Sequence, residues 1–140
     1  MTETQVHRSQ RQLIDAAVNQ RDWAIVGASE NQQKFGNIIY RDMKRAGYRV
    51  VGVNPNAETA DGDPVYPTLG DLPNVPIVVD VVVPPWVGRS VAEDTARAGI
   101  QIFWLQPGAE SDELIEYAES LGLDVIHHAC AMVEKRRWTT

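Results

Sequence analysis

The chain has 140 residues, of which 44% are hydrophobic and 23% charged, a balance typical of a globular protein large enough to bury most of its apolar surface. Its formal net charge of −6 argues against a nucleic-acid-binding protein, because such proteins approach phosphates through a basic face. No apolar run could span a bilayer, and the polar N-terminus lacks the apolar stretch of a secretory signal. The single Cys130 excludes an internal disulfide, so we expect a cytoplasmic protein.

The first half of the chain alternates between helical and extended patterns. Helical spacing of apolar residues predicts helices, and short apolar runs predict strands. Clustered Pro, Gly and Asx residues predict a loop. In chain order we predict an amphipathic helix over 9–19, a strand over 23–27, a helix from Asn37 that ends at Gly47, a strand over 49–53, a loop over 54–64, a minimal strand at Val65 and Tyr66, and one helical turn within 68–73.

The second half contains the strongest strand signal. Residues 77–83 form a nearly continuous β-branched run, which is typical of a strand covered on both faces. Asp80 interrupts this run. We expect it to meet a polar partner or to lie toward a strand edge, and a buried catalytic acid is the alternative. Downstream we predict a helix with the apolar face Val87, Val91, Ala92 and Ala96 that closes near Gly99, a strand over 100–105, a turn over 106–108, a helix from the N-cap Ser111 to Gly122, and a strand over 124–126.

Strands that alternate with helices of about ten residues indicate βαβ units. Right-handed crossovers place such helices on both faces of a parallel sheet. We therefore predict an α/β fold, a Rossmann-like doubly wound sheet of five or six strands. It would form a single domain over 1–140 with its core at about 20–131. Ligands of such sheets bind beyond the carboxyl ends of the strands.

The turn after the first predicted strand has the composition of an anion site. Gly27 opens the turn, and Gly36 stands at the start of a helix, where free backbone N–H groups and the helix dipole favour an anion. Ser29 offers a hydroxyl group and Lys34 a positive charge. The alternative is that Gly27 only allows an ordinary turn and that Lys34 is a solvated surface residue. The agreement of the turn with its sheet context favours a phosphate site.

The glycine spacing disfavours a nicotinamide dinucleotide. The dinucleotide fingerprint is G-x-G-x-x-G directly after the strand, with an acidic residue about 20 positions later for the ribose hydroxyls. Here Ala28 and Ser29 follow Gly27, and Asn54 ends the second strand. An NAD(P)-binding oxidoreductase-like protein is therefore the weaker alternative.

The remaining chemistry-bearing residues predict neither catalysis nor a metal site. His127 and His128 are adjacent, and no acid or cysteine stands at metal-ligand spacing from both. No nucleophile elbow is present. The basic stretch 134–138 is predicted to be a solvated tail. Cys130 is by default a small buried hydrophobic residue.

Several short motifs together resemble a known family. They are VGAS at 26–29, KFGN at 34–37, GYRVVGVNPNAE at 47–58, VYPTLGDLP at 65–73, VDVVVPP at 79–85 and AGIQIFWLQPGAES at 98–111. Their order and spacing resemble the CoA-binding domain of succinyl-CoA synthetase alpha subunits and of ADP-forming acyl-CoA synthetases, which also occurs alone in small bacterial proteins. The resemblance covers roughly residues 20–131.

The resemblance implies a role for each motif. The cofactor would be coenzyme A or an acyl-CoA. Its phosphates would lie at the first turn, its adenosine by the second strand, and its pantetheine arm along the next two strand ends. The residues implied are Gly27, Ala28, Ser29, Lys34, Phe35 and Gly36 for the phosphates, Asn54 and Pro55 for the adenosine, Val83, Pro84 and Pro85 for the ribose and pantetheine wall, and Gln106, Pro107 and Gly108 for the pantetheine arm. Relatives often carry a Lys where this chain has Asn56, so Lys34 would supply more of the charge.

The resemblance implies a binding protein rather than an enzyme, because the phosphorylated His and ATP-grasp domain of the synthetases have no counterpart here. We expect non-catalytic binding of CoA or acyl-CoA, without a nucleic-acid or membrane partner. A homo-oligomer or a protein partner is compatible with this expectation. The pattern also permits a ligase subunit that needs a partner chain, and an interaction domain that has lost its ligand. A mixed disulfide between Cys130 and the CoA thiol is a further hypothesis.

Overall fold

The computed structural model describes residues 8–139. Its strands are β1 (Asp22–Val26), β2 (Arg49–Val53), β3 (Thr59–Ala60), β4 (Asp63–Tyr66), β5 (Val78–Val81), β6 (Ile102–Leu105) and β7 (Asp124–Ile126). Its α-helices are α1 (Gln10–Val18), α2 (Phe35–Arg45), α3 (Pro85–Arg97), α4 (Asp112–Ser120) and α5 (Ala131–Glu134), with single 3-10 turns at Leu69–Asp71 and Lys135–Arg137. Within these described residues, no helix has the length and apolar character needed to cross a membrane.

All seven strands join one sheet in the order β3-β4-β2-β1-β5-β6-β7. Every pairing is parallel except that of β3 with β4. Alternate residues of a strand point to opposite faces, so β1 contributes Trp23 and Ile25 to one core and Ala24 and Val26 to the other. Helices α1, α2 and α5 cover the first face, and α3 and α4 cover the second. The predicted Rossmann-like α/β fold is confirmed.

The helix boundaries follow local capping chemistry. Ser9 caps α1 through a reciprocal capping box with Gln12, and the predicted N-cap Ser111 accepts a hydrogen bond from the Leu114 amide at 3.1 Å. Helix α3 begins at Pro85, where the missing N–H costs nothing because it would have no intrahelical acceptor. The Pro84–Pro85 pair therefore both ends the extended segment and starts the helix.

The sheet is wider than the sequence predicts. The predicted loop over 54–64 contains β3 and the beginning of β4, which pair antiparallel at the sheet edge. This hairpin turns through Asp61 and Gly62, which adopt φ values of 49° and 80°. Strands this short leave no periodic pattern, and turn residues dominate their composition.

The prediction that residues 134–138 form a solvated tail is wrong. Lys135 pairs with Asp42 at 2.9 Å and Arg137 with Asp15 at 2.6 Å. The Trp138 ring packs against Tyr48, with a centroid separation of 4.9 Å. The C-terminal segment thus joins α1 and α2 on the first face through contacts with residues distant in sequence, which a local charge pattern does not reveal.

The expectation for Asp80 is also wrong. Asp80 lies in β5, an interior strand of the sheet, with Ile25 and Trp104 as its register neighbours. It is fully buried, and neither carboxyl oxygen has a hydrogen-bond partner among the described residues. Burial without a partner raises the pKa of Asp80 well above its ordinary value, because a low-dielectric interior disfavours the charged form. Burial therefore favours the protonated, neutral form of this group in the folded chain.

Candidate functional site

The sheet order places a crevice between the carboxyl ends of β1 and β5. Helix α2 leaves β1 toward one face of the sheet, whereas α3 leaves β5 toward the other. Neighbouring connections that diverge in this way open a gap at the edge of the sheet, and ligands of open α/β sheets bind in that gap. The predicted site residues that directly follow β1 and β5 border this gap.

The β1–α2 turn packs with almost no free space. Gly27 adopts φ 109°, a region that favours glycine, and its amide donates to the Val53 carbonyl at 2.8 Å. A Cβ atom on Gly36 would lie 2.0 Å from the Gly27 carbonyl oxygen. Only glycine at position 36 therefore allows the first turn of α2 to lie directly on the end of β1.

The buried Asn37 and the half-buried Asn54 fix the conformation of this turn. Asn37 donates from Nδ2 to the Ser29 carbonyl at 2.7 Å, and Asn54 donates from Nδ2 to the Ala28 carbonyl at 3.0 Å. The Asn54 side chain, implied by the resemblance to border adenosine, is thus occupied in holding the turn. The sequence does not predict this role of Asn37, because a single polar residue at the start of a helix resembles an ordinary surface position.

The turn presents several hydrogen-bond donors without acceptors. The backbone amides of Ala28, Ser29, Phe35 and Gly36 donate to no other described residue. Lys34 is exposed at the N-cap of α2, and its ammonium group makes no ion pair within residues 8–139. Free N–H groups at the positive end of a helix dipole, next to an unpaired cation, form a site for an anion such as phosphate.

The one acidic side chain of the turn is directed away from these donors. The Glu30 carboxylate accepts hydrogen bonds from Thr59 Oγ1 at 2.8 Å and from the Gly62 amide at 2.9 Å. These bonds lower the pKa of Glu30, because they stabilise its charged form. Glu30 therefore ties the turn to the β3–β4 hairpin.

An apolar slot of about 190 Å³ lies beside the turn, between α3 and the carboxyl ends of β1 and β2. It brings together three of the predicted site residues, Asn54, Pro55 and Val83. Its other lining residues are not among the predicted site residues; they are Val26, Val53, Pro67, Thr68, Leu69, Val87, Ser90, Val91 and Asp94. The sequence signal that could have identified some of them is the apolar face of α3, whose exposed end extends beyond the buried core.

The three predicted site residues after β6 lie in different environments. The Gln106 side chain is fully buried, donates from Nε2 to Cys130 Sγ at 3.4 Å, and accepts from the Ala131 amide at 2.9 Å. It therefore holds the start of α5 and does not face the crevice. Pro107 and Gly108 are exposed at the edge of the sheet. Cys130 is half-buried, which differs from the default expectation of a fully buried thiol.

The two histidines contact each other beyond β7. The Nδ1 atoms of His127 and His128 lie 2.6 Å apart, and the His128 amide donates to Glu110 at 3.2 Å. Within residues 8–139, no group of three or more His, Cys, Asp or Glu side chains is arranged to hold a metal ion.

Solved structures with the same architecture cover nearly the whole chain. A hypothetical protein from Pyrococcus horikoshii has a TM-score of 0.84 and 28% identity, and the match covers 98% of each chain. A conserved hypothetical protein from Pyrococcus furiosus has a TM-score of 0.77 and 42% identity, covering 81% of this chain and 98% of that one. The fold thus recurs in proteins of about this length.

Sequence relatives include small proteins and parts of large ones. The uncharacterized protein YneT of Bacillus subtilis is 26% identical over 110 residues, which are 79% of this chain and 82% of that protein. Acetate–CoA ligase [ADP-forming] I of Archaeoglobus fulgidus is 28% identical over an alignment of 117 positions, which covers 76% of this chain but 17% of the ligase. The sequence pattern of the CoA binding domain matches residues 21–136, and the chain therefore belongs to the CoA-binding domain family.

Proposed function

We propose that this chain is a single-domain, non-catalytic cytoplasmic protein that binds coenzyme A or an acyl-CoA. The observation that carries the proposal is the juxtaposition at one edge of the sheet of the β1–α2 turn and the apolar slot. The turn offers four unpaired amides and Lys34, and the slot offers a mostly apolar cavity at the neighbouring strand end. A ligand with a diphosphate joined to a flat ring system matches both parts.

The slot suits the adenine ring. Its walls are mostly valine, leucine and proline side chains, and an apolar slot stabilises a flat heteroaromatic ring by excluding water. Thr68, Ser90 and Asp94 add polar atoms at its rim. The diphosphate would then lie at the turn, and the pantetheine arm would pass Pro84 and Pro85 toward Pro107 and Gly108.

Thermal unfolding with different ligands tests the proposal. A ligand that binds only the folded state stabilises it by about 2.7 kcal/mol at about 100 times its dissociation constant. We expect the midpoint to rise more with CoA and acetyl-CoA than with NAD, NADP and ATP, which lack the pantetheine arm. A rise with NAD alone would indicate that the site binds a dinucleotide instead of CoA. No rise with any ligand would favour an interaction domain that has kept the fold and lost its ligand.

Replacing Lys34 with alanine is expected to weaken CoA binding about tenfold, the loss typical of one hydrogen bond to a charged group. Titration calorimetry at low and high salt measures this effect, and the difference should shrink as salt screens the charge. Arg45→Ala is the matched control, since Arg45 is exposed in the last turn of the same helix, about 16 Å away. Equal losses in both variants would place the phosphates elsewhere.

Filling the slot is expected to abolish binding while leaving the fold intact. Ser90 is exposed and lines the slot, so Ser90→Phe would place a ring where adenine is proposed to lie. We expect the CoA dissociation constant to rise by more than about 100-fold, since the ring contacts contribute several kcal/mol. Circular dichroism checks the fold. Wild-type affinity in a folded Ser90→Phe variant would contradict the position of the adenine.

The acetate–CoA ligase relatives favour a second candidate, a ligase subunit that needs a partner chain. The matched region is 17% of the Archaeoglobus fulgidus ligase and 28% of the alpha subunit of acetate–CoA ligase [ADP-forming] II of Pyrococcus furiosus, so the rest of the ligase would have to come from another protein. We expect the purified chain alone to form no ATP from acetyl-CoA, ADP and phosphate. Turnover by the chain alone would contradict the non-catalytic proposal.

A further inference from the structure

A second and larger depression lies on the other side of α3 from the slot. This α3–α4 groove has a volume of about 670 Å³ and lies between the N-terminal ends of the two helices, with Trp86 and Leu114 among its lining residues. The helices approach closely at its floor, because a Cβ atom on Gly88 would lie 2.7 Å from Leu114 Cδ2. The groove is thus an open channel above a tight helix contact.

Trp86 is the most exposed large apolar side chain of the described residues, with 81% of its surface accessible. A tryptophan has much apolar area to bury, and exposing it to water is unfavourable unless something covers it. The core accounts for Trp23 and Trp104, which are fully buried. Trp86 takes no part in that packing.

The strand order places the groove along the line of the proposed ligand. The diphosphate turn follows β1, Pro85 follows β5 and lines the groove, and β6 is the next strand. Two strand spacings separate β1 from β6, about 10 Å, which is less than the length of an extended pantetheine arm. A pantetheine arm that starts at the turn and crosses the end of β5 is therefore long enough to reach the groove with its sulfur end.

We propose that the α3–α4 groove binds the acyl chain of an acyl-CoA, with Trp86 as its apolar wall. This inference rests on the proposed function and names the class of acyl group. Asp112 and Glu113 line the groove beside a single cation, Arg89. The Arg89 guanidinium is already stacked 3.6 Å above the Tyr117 ring. The two carboxylates outnumber the one cation and already occupy the positive end of the α4 dipole, so an uncharged alkyl chain fits the groove better than a dicarboxylic acyl group.

The test compares the dissociation constants of CoA, acetyl-CoA, butyryl-CoA, hexanoyl-CoA and succinyl-CoA by titration calorimetry. For the wild type we expect affinity to rise about two- to fourfold for each methylene added beyond acetyl, the effect of burying apolar area. Succinyl-CoA should bind no more tightly than CoA. Hexanoate alone should not bind, since the groove would receive the chain only through the tethered cofactor.

Trp86→Ala is expected to remove the dependence on chain length and to leave the CoA dissociation constant within about twofold. Val75→Ala is the matched control, because Val75 is 66% exposed and lines a separate cavity at the opposite end of β1 and β2. Equal affinity for CoA and hexanoyl-CoA in the wild type, or an unchanged dependence in Trp86→Ala, would overturn this inference alone. Failure of CoA itself to bind would instead overturn the proposed function.

Discussion

Replacing Gly36 with alanine is expected to destabilise the fold severely and to remove CoA binding. The new methyl group would lie 2.0 Å from the Gly27 carbonyl oxygen and 2.7 Å from its carbonyl carbon. Both atoms belong to the backbone, so α2 or the end of β1 must move. Overpacking of this kind costs about 3 kcal/mol or more, which corresponds to a fall of roughly 10 °C in the unfolding midpoint.

Gly70→Ala is the control for this variant. A Cβ atom there would meet only Thr68 Oγ1 at 3.7 Å, an ordinary contact distance, so its midpoint should stay within about 2 °C of the wild type. Thermal unfolding monitored by circular dichroism compares the two variants. If Gly36→Ala unfolds like the wild type, the close contact between α2 and the turn is not present in solution.

Removing the ionisable group of Asp80 is expected to stabilise the protein at neutral pH. Burial raises the pKa of Asp80 in the folded chain above its ordinary value of 3.8. The unfolded chain therefore releases this proton at a lower pH than the folded chain does. The contribution of Asp80 to the free energy of unfolding is greatest below about pH 4, where both states hold the proton, and falls as the pH rises toward the folded pKa. Each unit of elevation corresponds to about 1.4 kcal/mol lost at high pH.

Two substitutions separate the ionisation from the unpaired polar group. Asp80→Asn keeps the shape and an unpaired amide but cannot ionise, so it should be more stable than the wild type at pH 7 and lose that advantage near pH 4. Asp80→Val continues the β-branched run of β5 and should exceed Asp80→Asn by about 1–3 kcal/mol at both pH values, because no polar group remains buried without a partner. Denaturant unfolding across this pH range measures both effects. An advantage of Asp80→Asn that does not change with pH would contradict a raised pKa.

Position 80 also shows where local reasoning fails. A polar residue within a β-branched run suggests a strand edge or a polar partner, because most buried polar groups are satisfied. Whether a partner is present depends on the side chains that the sheet and helices bring around that position. The sequence around Asp80 contains no information about them. The same holds for Gln106, which binds to Ala131 and Cys130 across the first face.

The turn and the slot differ in how far the sequence could predict them. The turn is local, since Gly27, Lys34 and Gly36 are close in the chain and their spacing alone indicates a strand followed by a helix N-terminus. The slot is assembled from the ends of β1 and β2, the segment around Leu69 and the exposed side of α3. Only the strand order brings these segments together, so the sequence predicts three of the residues that line the slot and not the others.

The sequence by itself determined the α/β class, the alternation of strands and helices, and the positions of the strand ends. These properties follow from hydrophobic period and turn chemistry, which act over a few residues. The tertiary structure alone decided the seven-strand width, the packing of the C-terminal segment onto Tyr48, the unpartnered burial of Asp80 and the two depressions on either side of α3. Each of these depends on contacts between residues far apart in the chain, and such contacts leave no periodic pattern in the sequence.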